Sequence, residues 1–276
     1  LRDDDSVILG RNYVIPESLR QTMVAYYPLS NNFIDSSGNG HDAIPRNNVI
    51  FVKDRFGNEN GACYFNNSSY LSALCNVSEK RSTISFYFNS TNSNCGLFVV
   101  SGGELGQGGN DRDICISNGD IYCRLWSNEA LRSSGRNYAD GNWHHLVYQF
   151  DDSLNIGQRV YLDGILLFQG LKKSSDFTWQ DKIMIGFSND VGYANCSLDD
   201  IAIWDRALDL NEIDLLKQGI YNYSELHYRD TNYINDYTLK LSGTDYIKFK
   251  NLGIIRSNGS LDNPLDVILS NGVHHV

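Results

Sequence analysis

The chain has few of the residues that stiffen or loosen a fold, with 4 Pro and 2 Met in 276 residues. It has no Cys-x-x-Cys pair, and no His stands at zinc-ligand spacing from a cysteine, which excludes a zinc site of the usual kind. No apolar run is long enough to span a bilayer. Gly-rich phosphate loops, His-Glu-x-x-His and Gly-x-Ser-x-Gly are missing too, which removes the common nucleotide, metalloprotease and serine-hydrolase readings. Clustered basic residues are equally scarce. Lys and Arg number 23 against 33 Asp and Glu, a formal net charge of -10. A nucleic acid or an anionic membrane surface calls for the opposite sign.

What is present suits β-structure. Tyr alone contributes 17 residues, and the hydrophobic share of 41% supports a full core rather than disorder. Short apolar runs recur at 23–29, 49–52, 62–65, 70–74, 83–88, 97–100, 114–116, 121–126, 145–150, 159–162, 165–169, 183–187 and 198–204. Clusters of Gly, Asn, Asp and Ser separate them, the pattern of a sandwich or barrel. In Thr83-Ile84-Ser85-Phe86-Tyr87-Phe88 the even positions are apolar, which predicts one buried face. One stretch, 207–219, breaks the alternation. Asp209 and Glu212 have capping-box spacing, so a short helix is expected there.

Six cysteines, at 63, 75, 95, 115, 123 and 196, read as three disulfides and an oxidising compartment. Around the Asn118-Gly119 turn a three-residue loop would set Cys115 opposite Cys123, and that pair is expected to be bonded. Asn-x-Ser/Thr sequons begin at Asn66, Asn67, Asn76, Asn89, Asn195, Asn222 and Asn258. With the cysteines they point to a secreted or cell-surface glycoprotein. The chain opens Leu1-Arg2-Asp3, without an initiator Met or an apolar leader, as a mature form or fragment would.

Three regions are expected: an N-terminal arm over 1–21, a β-domain over 22–219, and a Tyr-rich extension over 220–276. In the extension, 237–242 and 245–250 flank Gly243-Thr244 as a two-stranded ribbon would, and 265–269 could add a third strand. A ribbon alone is marginal in water, so the extension needs a surface to cover its apolar side, its own or another copy's.

Several local patterns, in order, resemble the laminin-G-like or concanavalin A-like jelly-roll family. They are Ala25-Tyr-Tyr-Pro-Leu-Ser-Asn-Asn-Phe-Ile-Asp35-Ser-Ser-Gly-Asn-Gly-His41, Gly61-Ala-Cys-Tyr-Phe-Asn66 with Ser69-Tyr-Leu71, and Thr83-Ile-Ser-Phe86. Asp140-Gly-Asn-Trp-His-His-Leu-Val-Tyr-Gln-Phe-Asp151, Tyr161-Leu-Asp-Gly164 and Leu198-Asp-Asp-Ile-Ala-Ile-Trp-Asp-Arg-Ala-Leu-Asp-Leu-Asn-Glu-Ile213 complete the series. The resemblance covers about 22–219. It implies an all-β, two-sheet antiparallel sandwich with one short helix.

On that fold Trp143 is expected as a core anchor, and His144 and His145 as structural residues. Catalytic relatives carry clustered carboxylates of the Glu-x-Asp-x-Glu type on one strand, which this chain lacks, so no enzyme activity is expected. The resemblance also suggests a structural Ca²⁺. The Asp35 loop, with Asn39, would pack beside Asp199 and supply carboxylate and carbonyl oxygens. The bland alternative is that Asp35 caps an Asx-turn and Asp199 is a turn residue. Loop aromatics Trp126, Tyr138, Trp179 and Tyr193 could form a sugar-stacking platform. The implied role is an extracellular adhesion or binding module for a glycan or glycoprotein. The alternative is a fibre or coat subunit that meets its own copies through 1–21 and 220–276.

Overall fold

A computed structural model of the chain describes residues 19, 21–103, 109–125, 130–132, 135–171 and 180–218. It also describes the strand backbones at 246–249, 253–256, 261–262 and 268–269. The chain divides into two compact units, residues 16–221 and residues 1–15 with 222–276.

The strands of the larger unit run in order β1 (Met23–Tyr27), β2 (Ile44–Arg46), β3 (Ile50–Val52), β4 (Ala62–Asn66), β5 (Tyr70–Leu74) and β6 (Arg81–Ser90). Next come β7 (Asn94–Ser101), β8 (Asn110–Ser117), β9 (Asp120–Arg124), β10 (Ala130–Arg132), β11 (Trp143–Asp151) and β12 (Gln158–Leu162). The last are β13 (Ile165–Gly170), β14 (Lys182–Ile185), β15 (Phe187–Ser188), β16 (Gly192–Tyr193) and β17 (Asn195–Trp204), with helix α1 (Leu210–Lys217) after them. Apart from the two-stranded β15–β16 hairpin, they form two antiparallel sheets among the described residues. An eight-stranded sheet has the order β13-β12-β11-β6-β17-β4-β3, with β1 also on β17; a seven-stranded sheet has the order β10-β9-β8-β7-β14-β5-β2.

The core lies between the sheets. Ile84, Phe86 and Phe88 enter it from β6, as their alternation requires, and face Leu97, Ile114, Ile116, Ile121 and Ile183 of the other sheet. Trp143 is only half-buried. Among the described residues the fully buried tryptophan is Trp204, whose indole N–H donates to the Leu19 carbonyl at 2.8 Å. Helix α1 starts as its sequence predicts. Asp209 accepts from the amides of Asn211 and Glu212, and Glu212 returns a bond to the Asp209 amide at 2.9 Å.

The hairpin that carries Cys115 and Cys123 corrects the expected disulfide. Asn118 and Gly119 both have positive φ, 53° and 83°, the conformation of a two-residue turn. Ser117 therefore faces Asp120, Cys115 faces Tyr122, and Cys123 faces Ile114. A register one residue from the expected one sends the two cysteines to opposite faces of the sheet. Cys123 joins the core, and Cys115 lies under the outer face.

In the smaller unit, β18 (Tyr246–Phe249) pairs with β19 (Gly253–Arg256), β19 with β20 (Leu261–Asp262), and β18 with β21 (Ile268–Leu269). The segment 245–250 therefore finds its strand partners in residues 253–256 and 268–269, later in the chain. The expected partner 237–242 lies outside the described residues.

Candidate functional site

The two outer faces of the sandwich are each covered by a later part of the chain. Helix α1 and the segment leading to it cover the eight-stranded sheet. Outward-facing side chains fasten them by reaching backbone carbonyls: Thr83 Oγ1 to Arg206 at 2.6 Å, Gln149 Nε2 to Leu208 at 2.7 Å, and Tyr87 Oη to Lys217 at 2.6 Å. Beside them the Arg55 guanidinium binds Asp199, reaches Asp200 at 2.6 Å, and stacks 3.8 Å from the Tyr87 ring centroid. Tyr26 Oη donates to the other oxygen of Asp200 at 2.6 Å.

The histidine and Tyr-Leu-Asp-Gly motifs meet on this same sheet. Asp163 and Gly164 form the β12–β13 turn, with φ of 52° and 79°. Asp163 accepts from the His145 amide at 2.9 Å and from His144 Nδ1 at 2.9 Å, while Asp140 lies 3.2 Å from His144 Nε2. The Asp163 hydrogen bond, with help from Asp140, raises the His144 pKa. Burial lowers His145 to about 3, so its ring is neutral, and its Nε2 pairs with Ser85 Oγ at 2.8 Å. Both histidines brace strands and touch no open site.

The donors expected for Ca²⁺ have other partners. Asp35 Oδ1 accepts from the amides of Tyr26 and Ser37, and its Oδ2 from His41, at 2.9–3.0 Å. Burial pushes this carboxyl up, but these bonds outweigh it and hold it below its ordinary value. The Asn39 amide nitrogen donates to the carbonyls of Met23 and Val24. Asp199 is taken by Arg55, a cation already in place. The three do not fit Ca²⁺: each braces its own neighbourhood, and no cluster of three His, Cys, Asp or Glu suited to a metal exists among the described residues.

On the seven-stranded sheet the cover is the β15–β16 hairpin. It lies so close to β7 that a Cβ on Gly96 would stand 2.1 Å from the Gly192 oxygen, which is why glycine is needed there. Asp113, paired with Arg124 across β8 and β9, fastens the hairpin by accepting the Asn189 amide at 2.8 Å. Burial raises the Asp113 pKa to about 7, and its second oxygen is buried without a partner. Arg124 reaches outward from Asp113, at 3.5 Å, to Asp190 at 2.7 Å, and Asp190 is exposed at the hairpin tip. At the hairpin base Tyr193 stands 5.2 Å from Phe187 and 6.2 Å from Tyr70, ring centre to ring centre. An exposed carboxylate, Asp190, therefore shares one hairpin with a half-buried tyrosine set in an aromatic cluster, and the half-buried Arg124 of β9 lies against that carboxylate. That set can accept hydroxyls, donate to ring oxygens and stack on an apolar sugar face.

Of the predicted aromatics among the described residues, Tyr193 belongs to this site and Tyr138 does not. Tyr138 is buried, edge-on to His144 at 5.8 Å, and is unsuited to a surface platform. Trp126 and Trp179 lie outside the described residues. Asn67 and Asn76 are exposed, whereas Asn66, Asn89 and Asn195 are half-buried. Asn89 donates to the Gly141 carbonyl at 2.8 Å, and Asn195 accepts from Tyr64 at 2.5 Å. Asn222 and Asn258 lie outside the described residues. Sequence reasoning missed Asp113, Arg124 and Asp190. The one available signal was Asp111-Arg112-Asp113, a charged run at the start of a core strand.

No helix among the described residues is long and apolar enough to cross a membrane. No curated protein matches the chain. Solved structures do match its fold. The binding domain of Paraclostridial Mosquitocidal Protein 1 is 17% identical with a TM-score of 0.58, over 74% of this chain and 53% of that one. The chain thus spans about half the length of that structure. The ligand binding domain of botulinum neurotoxin serotype D, in complex with N-acetylneuraminic acid, gives 14% and 0.58, over 94% of this chain and 69% of its own. Domain 4 of AbnA, a GH43 extracellular arabinanase from Geobacillus stearothermophilus, in complex with arabinotriose, gives 16% and 0.53, over 73% and 98%. The family model described as the concanavalin A-like lectin/glucanases superfamily matches residues 58–214, more than half of the chain. With the two-sheet sandwich already described, the chain belongs to that superfamily.

Proposed function

We propose that the chain is a non-catalytic glycan-binding module that holds its ligand at the β15–β16 hairpin of the seven-stranded sheet. The observation that carries this reading is the exposed Asp190, held by Arg124 of β9, on the hairpin that also seats Tyr193. Similar folds in complex with arabinotriose and N-acetylneuraminic acid support the ligand class. With a net charge of -10 and Asp190 at the tip, a neutral sugar ring suits the site better than a polyanion. The superfamily also contains glucanases, and Asp113 and Asp190 are two carboxylates with unlike environments. Asp113 is fully buried and Arg124 stands between them, so neither an open acid nor a paired nucleophile faces the ligand. An extracellular setting, with glycans on exposed Asn67 and Asn76, belongs to the same reading.

Binding of the full chain to a glycan array tests it. Tyr193→Ala and Asp190→Ala should each weaken the best ligand by tenfold or more, about 1.4 kcal/mol. Unchanged affinity in both would move the site elsewhere, and cleavage of the bound glycan would overturn the non-catalytic reading. The alternative, a self-assembling subunit, draws on the edge strand β13, where Ile165 is 72% exposed. Polymers that form with concentration and vanish on deleting 220–276 would favour it.

A further inference from the structure

All six cysteines stand as thiols in the structure, and all are buried. Two of them face each other across the sandwich. Cys95 enters the core from β7 of the seven-stranded sheet, and Cys196 from β17 of the eight-stranded one. The amide of Asn195, next to Cys196 in the chain, donates to Cys95 Sγ at 3.4 Å. Each thiol shifts the other's pKa, Cys95 downward and Cys196 upward.

The approach is enforced from both sides. On β7 the neighbouring Gly96 is pressed by the β15–β16 hairpin and holds the strand in place. On the other side, the residues before Cys196 are tied by Ala194 N–H to Gly186 at 2.9 Å and by Asn67 N–H to Ala194 at 2.7 Å. The remaining cysteines lead elsewhere. Cys115 and Cys123 lie on opposite faces of one hairpin, Cys63 Sγ is 4.0 Å from the Leu29 carbonyl, and the Cys75 amide binds Asp181.

We propose that Cys95 and Cys196 are a disulfide site that ties the two sheets together, closed by exchange with an external disulfide oxidant such as oxidised glutathione or a dithiol oxidoreductase. The Cys95 thiolate attacks one sulfur of the oxidant and expels the other as a thiolate, leaving a mixed disulfide on Cys95. Cys196 then loses its proton and attacks Cys95 Sγ; the new Sγ–Sγ bond expels the second oxidant thiolate. Two electrons and two protons thus pass from the pair to the oxidant, which leaves as two thiols. The balance is the same if Cys196 attacks first. Because both sulfurs are buried, closure belongs to the stage of folding before the sheets have packed.

The test is peptide mapping of the full chain after refolding in a mixture of oxidised and reduced glutathione, with free thiols alkylated under denaturing conditions. A linked Cys95–Cys196 peptide pair is expected. Both residues alkylated, or either linked to another cysteine, would overturn the site. Closing a loop of this length implies that reduction lowers Tm by about 10 °C. The Cys95→Ala/Cys196→Ala variant should melt at the same temperature with and without reductant. If reductant lowers its Tm as much as that of the unaltered chain, the tie between the sheets is wrong.

Discussion

The two covered faces of the sandwich are built from similar residues and differ in how completely they are closed. On the eight-stranded sheet the buried charges at positions 55, 199 and 200 are paired with one another. Arg55 takes Asp199 and Asp200, Tyr26 takes the remaining Asp200 oxygen, and three side chains bind the backbone of the segment above. On the seven-stranded sheet one Asp113 oxygen is left bare, and the charge passes outward through Arg124 to the exposed Asp190. A cover whose buried charges are paired within the fold holds the fold. One that displays a charge at its tip and an aromatic cluster at its base has something left to offer a ligand.

The sharpest way to break that comparison is Arg55→Met. It leaves two buried carboxylates beside one another without their cation, a loss of about 3–5 kcal/mol. Urea unfolding should show it, with glycan affinity at the hairpin unchanged in the folded fraction. A loss under about 1 kcal/mol would mean that this cover is held by packing alone.

The pH dependence should separate the faces by sign. Burial raises Asp113 from 3.8 to about 7 in the folded chain. Its contribution is therefore complete below pH 3.8 and is lost as pH rises through 7. Burial lowers His145 from 6.5 to about 3, so its contribution is complete above pH 6.5 and is lost as pH falls toward 3. Asp113→Asn should flatten the fall in stability toward neutral pH, and His145→Gln the fall toward acid, each by roughly 2–4 kcal/mol across its window. Chemical unfolding at a series of pH values measures both. Parallel curves for a variant and the unaltered chain would show that the group does not titrate in that window.

A smaller effect belongs to α1, where Asp209→Ala should cost about 1 kcal/mol by thermal unfolding. That cap was legible because its partners lie two and three residues away. The alternation of Ile84, Phe86 and Phe88 was legible for the same reason, and so was the Asp163-Gly164 turn. The disulfide expectation failed by a single residue of register, since two- and three-residue readings of Asn118-Gly119 send Cys123 to different faces. Contacts across the fold left no local mark. Asn189 lies 76 residues from Asp113, and Arg55 lies 144 from Asp199. Nothing near Asp199 announces that an arginine, not a metal, balances it. Tyr138 sits in a polar loop sequence, yet the fold turns it inward against His144.

The smallest expected effect is none: a chelator should leave the melting temperature unchanged. The donors that the sequence offers to Ca²⁺ are Asp35, Asn39 and Asp199. Asp35 has three backbone amides on its two oxygens, Asn39 gives its amide nitrogen to two carbonyls, and Asp199 has Arg55. A calcium ion needs about six to eight oxygens free to turn toward it, and a guanidinium at the same carboxylate repels it. Asp35→Asn is the companion measurement. It removes the charge that the amides hold below its ordinary pKa, so it should lower Tm by a few degrees with or without EDTA. Equal melting curves for the unaltered chain with and without EDTA, together with a lower curve for Asp35→Asn, identify that loop as braced by its own amides. A fall in Tm with EDTA that Asp35→Asn abolishes would restore the metal.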